Sequence, residues 1–162
     1  MTEFGALLRR LADHDVEFIL VGGVAATVHG STRLTQDLDL VYARSSANLE
    51  RLAAALADLS PYLRGAPPGL SFGWSAKTLR AGLNFALTTD LGDLDLLGEI
   101  TGGGTWGDLF VDSVGIELFG TEVRCLSLER LIATKRAAGR PRDFETIAEL
   151  AAIREEGEGL ET

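Results

Sequence analysis

The sequence predicts one α/β (α+β) domain, a mixed β-sheet flanked by helices and followed by a pair of C-terminal helices. Three observations carry that expectation. Short apolar runs of strand length alternate with helical patterns in the first sixty residues. Two later pairs of apolar runs are joined by glycine-bearing turns and read as hairpins. The chain then closes with two successive helical patterns. At 162 residues it is long enough for one sizeable core. The expected domain spans 1–156, with a core over about 1–126, terminal helices over about 127–156, and an acidic tail at 157–162 that has nothing to pack and should fray.

Taken in order, Phe4, Leu7, Leu8 and Leu11 recur at helical spacing, which predicts a helix over 2–13. "EFILVGG" reads as a short buried strand ended by glycines. "VAATVHG" reads as a short helix stopped at Gly30. "DLDLVYA" is the second strand. "SSANLERLAAALADLS" has serines at its start and apolar residues at Leu49, Leu52, Ala53 and Leu56, as an N-capped amphipathic helix requires. "PYLRGAPPGLSFGWS" is rich in proline and glycine and is expected to be a loop over the active face. "GLNFALTT" and "DLDLLGEI" flank the turn-like "DLG", and "VGIELFG" with "TEVRCLS" turns at Gly120. "TGGGTWGDLF" between them reads as a flexible loop. "LERLIATKRAAG" and "PRDFETIAELAAIREE" are the terminal helices, with Pro141 suited to a first turn.

Composition bounds the function. With 46% hydrophobic and 24% charged residues the chain is ordinary for a globular protein. No apolar run approaches the ~18 residues of a membrane span. "MTEFGALLRRLADHD" lacks the features of a secretory signal, so a cytoplasmic protein is expected and no membrane partner. The lone Cys125 cannot form an internal disulfide and is expected in the core. A net charge of −9 argues against nonspecific grip on nucleic acid over the whole surface.

The chemistry concentrates in two apolar runs that carry aspartates. In a strand, residues i and i+2 share a face, ~6.5–7 Å apart at Cα, so Asp37 and Asp39 point together. Buried like charges are costly unless a positive partner compensates them. Such carboxylates suit hard divalent cations such as Mg²⁺. A two-metal site needs a third carboxylate from a neighbouring strand, which "GDLDLLGEI" offers at Asp95, with Asp93 as the alternative nearer the turn. The competing reading places the pair on a solvated strand face. Gly22 and Gly23 weigh against it, because glycines between a strand and a helix let backbone N–H groups approach an anion. The dinucleotide fingerprint G-x-G-x-x-G is absent, and neither "GGVAATVHG" nor "TGGGTWGD" holds the lysine of a P-loop.

"VGG" at 21–23, a thirteen-residue spacer and "DLDL" at 37–40 resemble the signature of the polymerase-beta-type nucleotidyltransferase superfamily. The fuller "GGVAATVHGSTRLTQDLDL", with the later "LIATKRAAGRPRD", is similar to the minimal bacterial branch that includes AbiEii-type toxin nucleotidyltransferases, over roughly residues 15–145. The resemblance implies a nucleotidyltransferase-like sheet and Mg²⁺-dependent transfer of an NMP from an NTP to an acceptor hydroxyl, within a toxin–antitoxin system. Two Mg²⁺ ions would lie on Asp37, Asp39 and Asp95, and Gly22 and Gly23 would hold the triphosphate. It also implies a phosphate contact from Lys135 and a functional position at Asp143, although both equally fit charge pairing with helix ends. Arg33 faces either the triphosphate or solvent. His29 reads as structural, and Trp74 and Trp106 as groove fillers rather than base-stacking platforms. The acceptor stays open among an RNA 3′ end, a protein hydroxyl and a small molecule, and a cognate partner protein is implied. The alternative is a non-catalytic nucleotide-binding or antitoxin-like partner on the same scaffold. A dinucleotide-dependent oxidoreductase fails at its glycine fingerprint.

Overall fold

Apolar runs uninterrupted by water-facing positions become the central strands. The computed structural model describes residues 2–161. Strand β1 (Phe18–Val21) is buried at every position. In β2 (Asp37–Tyr42), Leu38 and Leu40 are fully buried while Asp37 and Asp39, alternating with them, are half-buried. These two strands pair antiparallel with Val21 opposite Asp39, so the glycines leaving β1 start beside the aspartates entering β2. The remaining strands are β3 (Tyr62–Leu63), β4 (Asn84–Thr89), β5 (Gly92–Leu97), β6 (Glu99–Ile100), β7 (Gly104–Thr105), β8 (Ser113–Leu118) and β9 (Thr121–Leu126). Seven of them form one mixed sheet in the order β3-β4-β5-β2-β1-β9-β8, and β6 pairs with β7 separately. Both expected hairpins form, β4–β5 and β8–β9. Phe119 and Gly120 turn the second with positive φ angles of 51° and 76°.

The helices are α1 (Phe4–Asp13), α2 (Gly22–Val28), α3 (Ser46–Leu56), α4 (Ala76–Ala81), α5 (Trp106–Phe110), α6 (Leu128–Ala138) and α7 (Phe144–Glu161). Helix α1 buries Leu7, Leu8 and Leu11 against β9 and α3. Ser45, Ser75 and Ser127 cap α3, α4 and α6 by accepting from the N–H three residues on. The buried Asn48 of α3 donates to Glu17 O and Ala43 O and accepts from Glu17 N. It thereby ties α3 to the start of β1 and the end of β2. Gly139, left-handed at φ 62°, stops α6, and a single 3₁₀ turn over Pro141–Asp143 leads into α7.

Five sequence expectations change. The glycine pair forms the first turn of α2 instead of preceding it. Residues 61–75 are not all loop, because Tyr62 and Leu63 pair with Thr88 and Leu87 as an edge strand too short for periodicity to reveal. A helix, α4, follows this segment, carried by its serine cap and by Ala76 and Leu79 buried at helical spacing. The glycine-rich 101–110 segment folds into β7 and α5, where the Asp108 carboxylate accepts from Thr105 N and Oγ1 at 3.0 Å. Helix α7 also runs through the expected acidic tail as far as Glu161, and Thr162 lies outside the described residues. No helix among the described residues is long and apolar enough to cross a membrane.

Candidate active site

Parallel pairing of β2 with β5 doubles the aspartate motif. Asp37 stands in register with Asp93, and Asp39 with Asp95. Because register neighbours in a sheet share a face, four carboxylates converge where the sequence called for three. Both Asp93 and Asp95 therefore reach the pair. Asp39 is largely enclosed by its neighbours. Burial first, then contact with Asp95 and the negative charges of Asp95 and Asp37, push its carboxyl up to about 7, against the opposing pull of Lys135. Asp39 Oδ1 is buried without a hydrogen-bond partner.

The positive group among these carboxylates is Arg64, which the sequence reading did not single out. Its guanidinium lies 3.7 Å from Asp37 Oδ2, 3.6 Å from Asp93 Oδ2 and 2.9 Å from Asp95 Oδ1. Its Nη2 donates to Leu87 O at 2.7 Å. The approach to Asp95 is thus off the hydrogen-bond direction, and the contact is ionic: Asp95 Oδ1 and Arg64 Nε are both buried without a hydrogen-bond partner. Arg64 is delivered by the end of β3, where its N–H donates to Ala86 O at 2.9 Å. No local pattern announces a residue that reaches across two strands from a proline-rich segment.

Gly22 and Gly23 sit against the same carboxylates. Gly22 has a φ of +66°, and a Cβ there would overlap the Asp39 carboxylate; a Cβ on Gly23 would overlap Thr35. Glycine is required here by close approach as well as by conformation. A cavity of about 730 Å³ opens beside them, lined by Gly22, Gly23, Asp37, Asp39 and Asp95 on the sheet side. Leu131, Thr134, Lys135, Arg140, Arg142 and Asp143 line it from the terminal helices.

Lys135 is buried on α6, with only 11% of its side chain exposed, and its Nζ is 3.9 Å from Asp143 Oδ1. Burial lowers its pKa, which the charges of Asp143 and Asp39 oppose. Asp143 also accepts from Arg140 Nε at 2.6 Å. Lys135 and Asp143 thus form one ion-paired group facing the carboxylates across the cavity. Arg33 does not line that cavity. It pairs with Glu145 at 2.7 Å and lies 4.0 Å from Glu149. Glu149 further accepts from Ser31 Oγ and from Thr32 N and Oγ1, which fastens the segment before β2 to α7. His29 Nε2 lies 2.7 Å from Leu126 O. Trp74 packs on the core and donates to Ala53 O at 2.9 Å, and Trp106 lies partly buried on Phe110. Cys125 is fully buried.

Four side chains offering only oxygen, two of them with unpartnered buried oxygens, fit a hard divalent cation. Among the described residues no three carboxylate, imidazole or thiol side chains are already arranged as ligands. The aspartates are spread around a guanidinium.

Residues 6–144 match the family described as nucleotidyl transferase AbiEii toxin, type IV toxin–antitoxin system. A Thermotoga maritima protein assigned as a nucleotidyltransferase shares the fold with a TM-score of 0.58 at 16% identity, over 94% of this chain and 96% of its own. The antibiotic-resistance factor ANT(2″)-Ia shares it with a TM-score of 0.51 at 18% identity, over 98% of this chain and 92% of its own. No curated protein matches the chain. With the family match extending over most of its length, the chain belongs to the AbiEii nucleotidyl transferase toxin family, and its chemistry is nucleotidyl transfer.

Proposed function

We propose that the chain transfers an NMP from an NTP to an acceptor hydroxyl at the cavity between β2, β5 and α6, with Mg²⁺ held by the aspartates. The observation that carries the proposal is the separation of charge across that cavity. Asp37, Asp39 and Asp95 line one wall, and Lys135, Arg140 and Arg142 the other, in excess of Asp143, which pairs with the first two. Phosphoryl-type transfer needs positioning and charge neutralisation more than a protein nucleophile, and this arrangement offers both. Asp37, Asp39 and Asp95 would hold the metal, with Asp93 beside them. When bound, Mg²⁺ neutralises phosphate charge and supports attack at phosphorus. Gly22 and Gly23 present backbone N–H groups to the triphosphate. Lys135 contacts it from the opposite wall and is itself held in place by Asp143. The acceptor oxygen bonds to the α-phosphorus, the bond from that phosphorus to the bridging oxygen breaks, and pyrophosphate leaves with the electron pair. Asp95 takes the acceptor's proton.

Family membership places the chemistry in a toxin–antitoxin setting. A cognate antitoxin is therefore the proposed protein partner, and an RNA 3′ end, a protein hydroxyl and a small molecule are the acceptor classes to separate. The test of the nucleotide site is a titration with each Mg²⁺·NTP, read by melting temperature and by binding. Wild type should be stabilised, because a ligand of the folded state shifts unfolding by mass action. Lys135→Ala should fold normally and bind the nucleotide more weakly. Unchanged affinity in that variant would return Lys135 to a purely structural pairing with Asp143.

A further inference from the structure

Arg64 stands where a positive charge is most needed, yet its hold is soft. Its three carboxylate contacts, to Asp37, Asp93 and Asp95, span 2.9–3.7 Å. Among the described residues, the only acceptor to which its guanidinium donates a hydrogen bond is a backbone carbonyl, that of Leu87. Contacts that are Coulombic without aligned hydrogen bonds yield to a denser charge more readily than a bidentate arginine–carboxylate fork does. The side chain is 29% exposed. Its backbone lies at the end of an edge strand, followed by Gly65 at φ +80° with open space around it. Asp39 is not among the groups Arg64 pairs with, and its buried Oδ1 has no hydrogen-bond partner among the described residues.

We propose that Arg64 is an internal counter-cation of the aspartate centre that competes with the divalent metal. It holds Asp37, Asp93 and Asp95 together while the centre is free of metal, and it gives up its contacts with Asp37 and Asp95 when an ion binds. The inference rests on the metal-dependent reading above and adds to it a residue that sets how tightly metal is held. A site that must first shed a resident cation binds its ion with an affinity reduced by the fraction of molecules already open. Free divalent cation is thereby held weakly, and stable occupancy waits for the ion that arrives with the nucleotide. Arg64 is a positioning residue in this account, since it acts through the ligands.

The experiment is a Mn²⁺ titration of the full chain without nucleotide, read from the electron paramagnetic resonance signal of free Mn²⁺. Wild type, Arg64→Met and Arg64→Lys are compared. Removing the competing charge should tighten Mn²⁺ binding by at least about tenfold in Arg64→Met. Arg64→Lys, which keeps the charge, should stay close to wild type. A residue that merely shapes the fold would leave affinity unchanged or weaken it, and either result in Arg64→Met overturns the proposal. Absence of saturable Mn²⁺ binding in all three proteins would overturn the metal site itself, and the role of Arg64 with it. Should Arg64→Met be unfolded without metal, recovery of its circular dichroism on adding Mn²⁺ supports the proposal, and failure to recover at saturating Mn²⁺ contradicts it.

Discussion

Asp39, as a proposed metal ligand, would meet two opposing demands, since it would have to be ionised to hold a cation and burial disfavours its ionisation. Its carboxyl keeps a proton up to about pH 7 in the folded chain and only up to about 3.8 when unfolded. Between those values the folded state binds the additional proton, so raising the pH through that window removes stability. The metal-free protein should therefore lose stability through this group from about pH 4 to about pH 7. Asp39→Asn should remove that part of the slope. Melting curves without metal would show it: the variant should melt close to wild type near pH 4 and increasingly above it up to about pH 7. A difference independent of pH would contradict the assignment. Residues such as Asp39 and Gly22 were legible because each obeys a local rule, period-two alternation for the one and a strand-to-helix junction for the other. Arg64 and Glu149 were not, because each acts on residues distant in sequence, from a neighbouring strand or helix, and nothing beside either in the sequence marks that reach.

At the scale of elements, the site depends on fixing the β1–β2 pair, which carries the glycines at one strand's end and the aspartates at the next strand's start. Asn48 holds that pair from α3, with Glu17 O, Glu17 N and Ala43 O as its partners. Asn48→Ala would strand Glu17 N and Ala43 O, while Glu17 O keeps its bond from Ala43 N, and should cost about 2 kcal/mol. Urea denaturation checks this; a loss below about 1 kcal/mol would show that water replaces the amide. The hairpins and long helices could be read from sequence because their signals are local and repeated. The β3 strand and α5 could not. One is two residues long, and the other is a five-residue turn within a glycine-rich run, so pairing and capping decide them rather than period.

For the whole molecule, the net charge of −9 gives little hint of the cavity, where a wall of aspartates faces a wall whose three basic residues outnumber its one aspartate, Asp143. That arrangement comes from bringing residues near 22, 37, 95 and 135 together, a long-range result of sheet order and of α6 packing on α2. The sequence placed the carboxylates and the lysine on their own elements, and only the fold sets them face to face. The account's central claim is that this cavity moves an NMP. The most direct measurement incubates the protein and Mg²⁺ with a cell lysate and each NTP, labelled at the α-phosphorus in one series and at the γ-phosphorus in another. The account predicts that α-label becomes attached to an acceptor in the RNA, protein or small-molecule fraction, and that γ-label leaves only as pyrophosphate. Asp37→Asn combined with Asp39→Asn should remove the attachment in a protein that still folds. Attachment of γ-label would indicate a kinase, and a folded, nucleotide-binding wild type that attaches neither label would be a binding scaffold; either result contradicts the account.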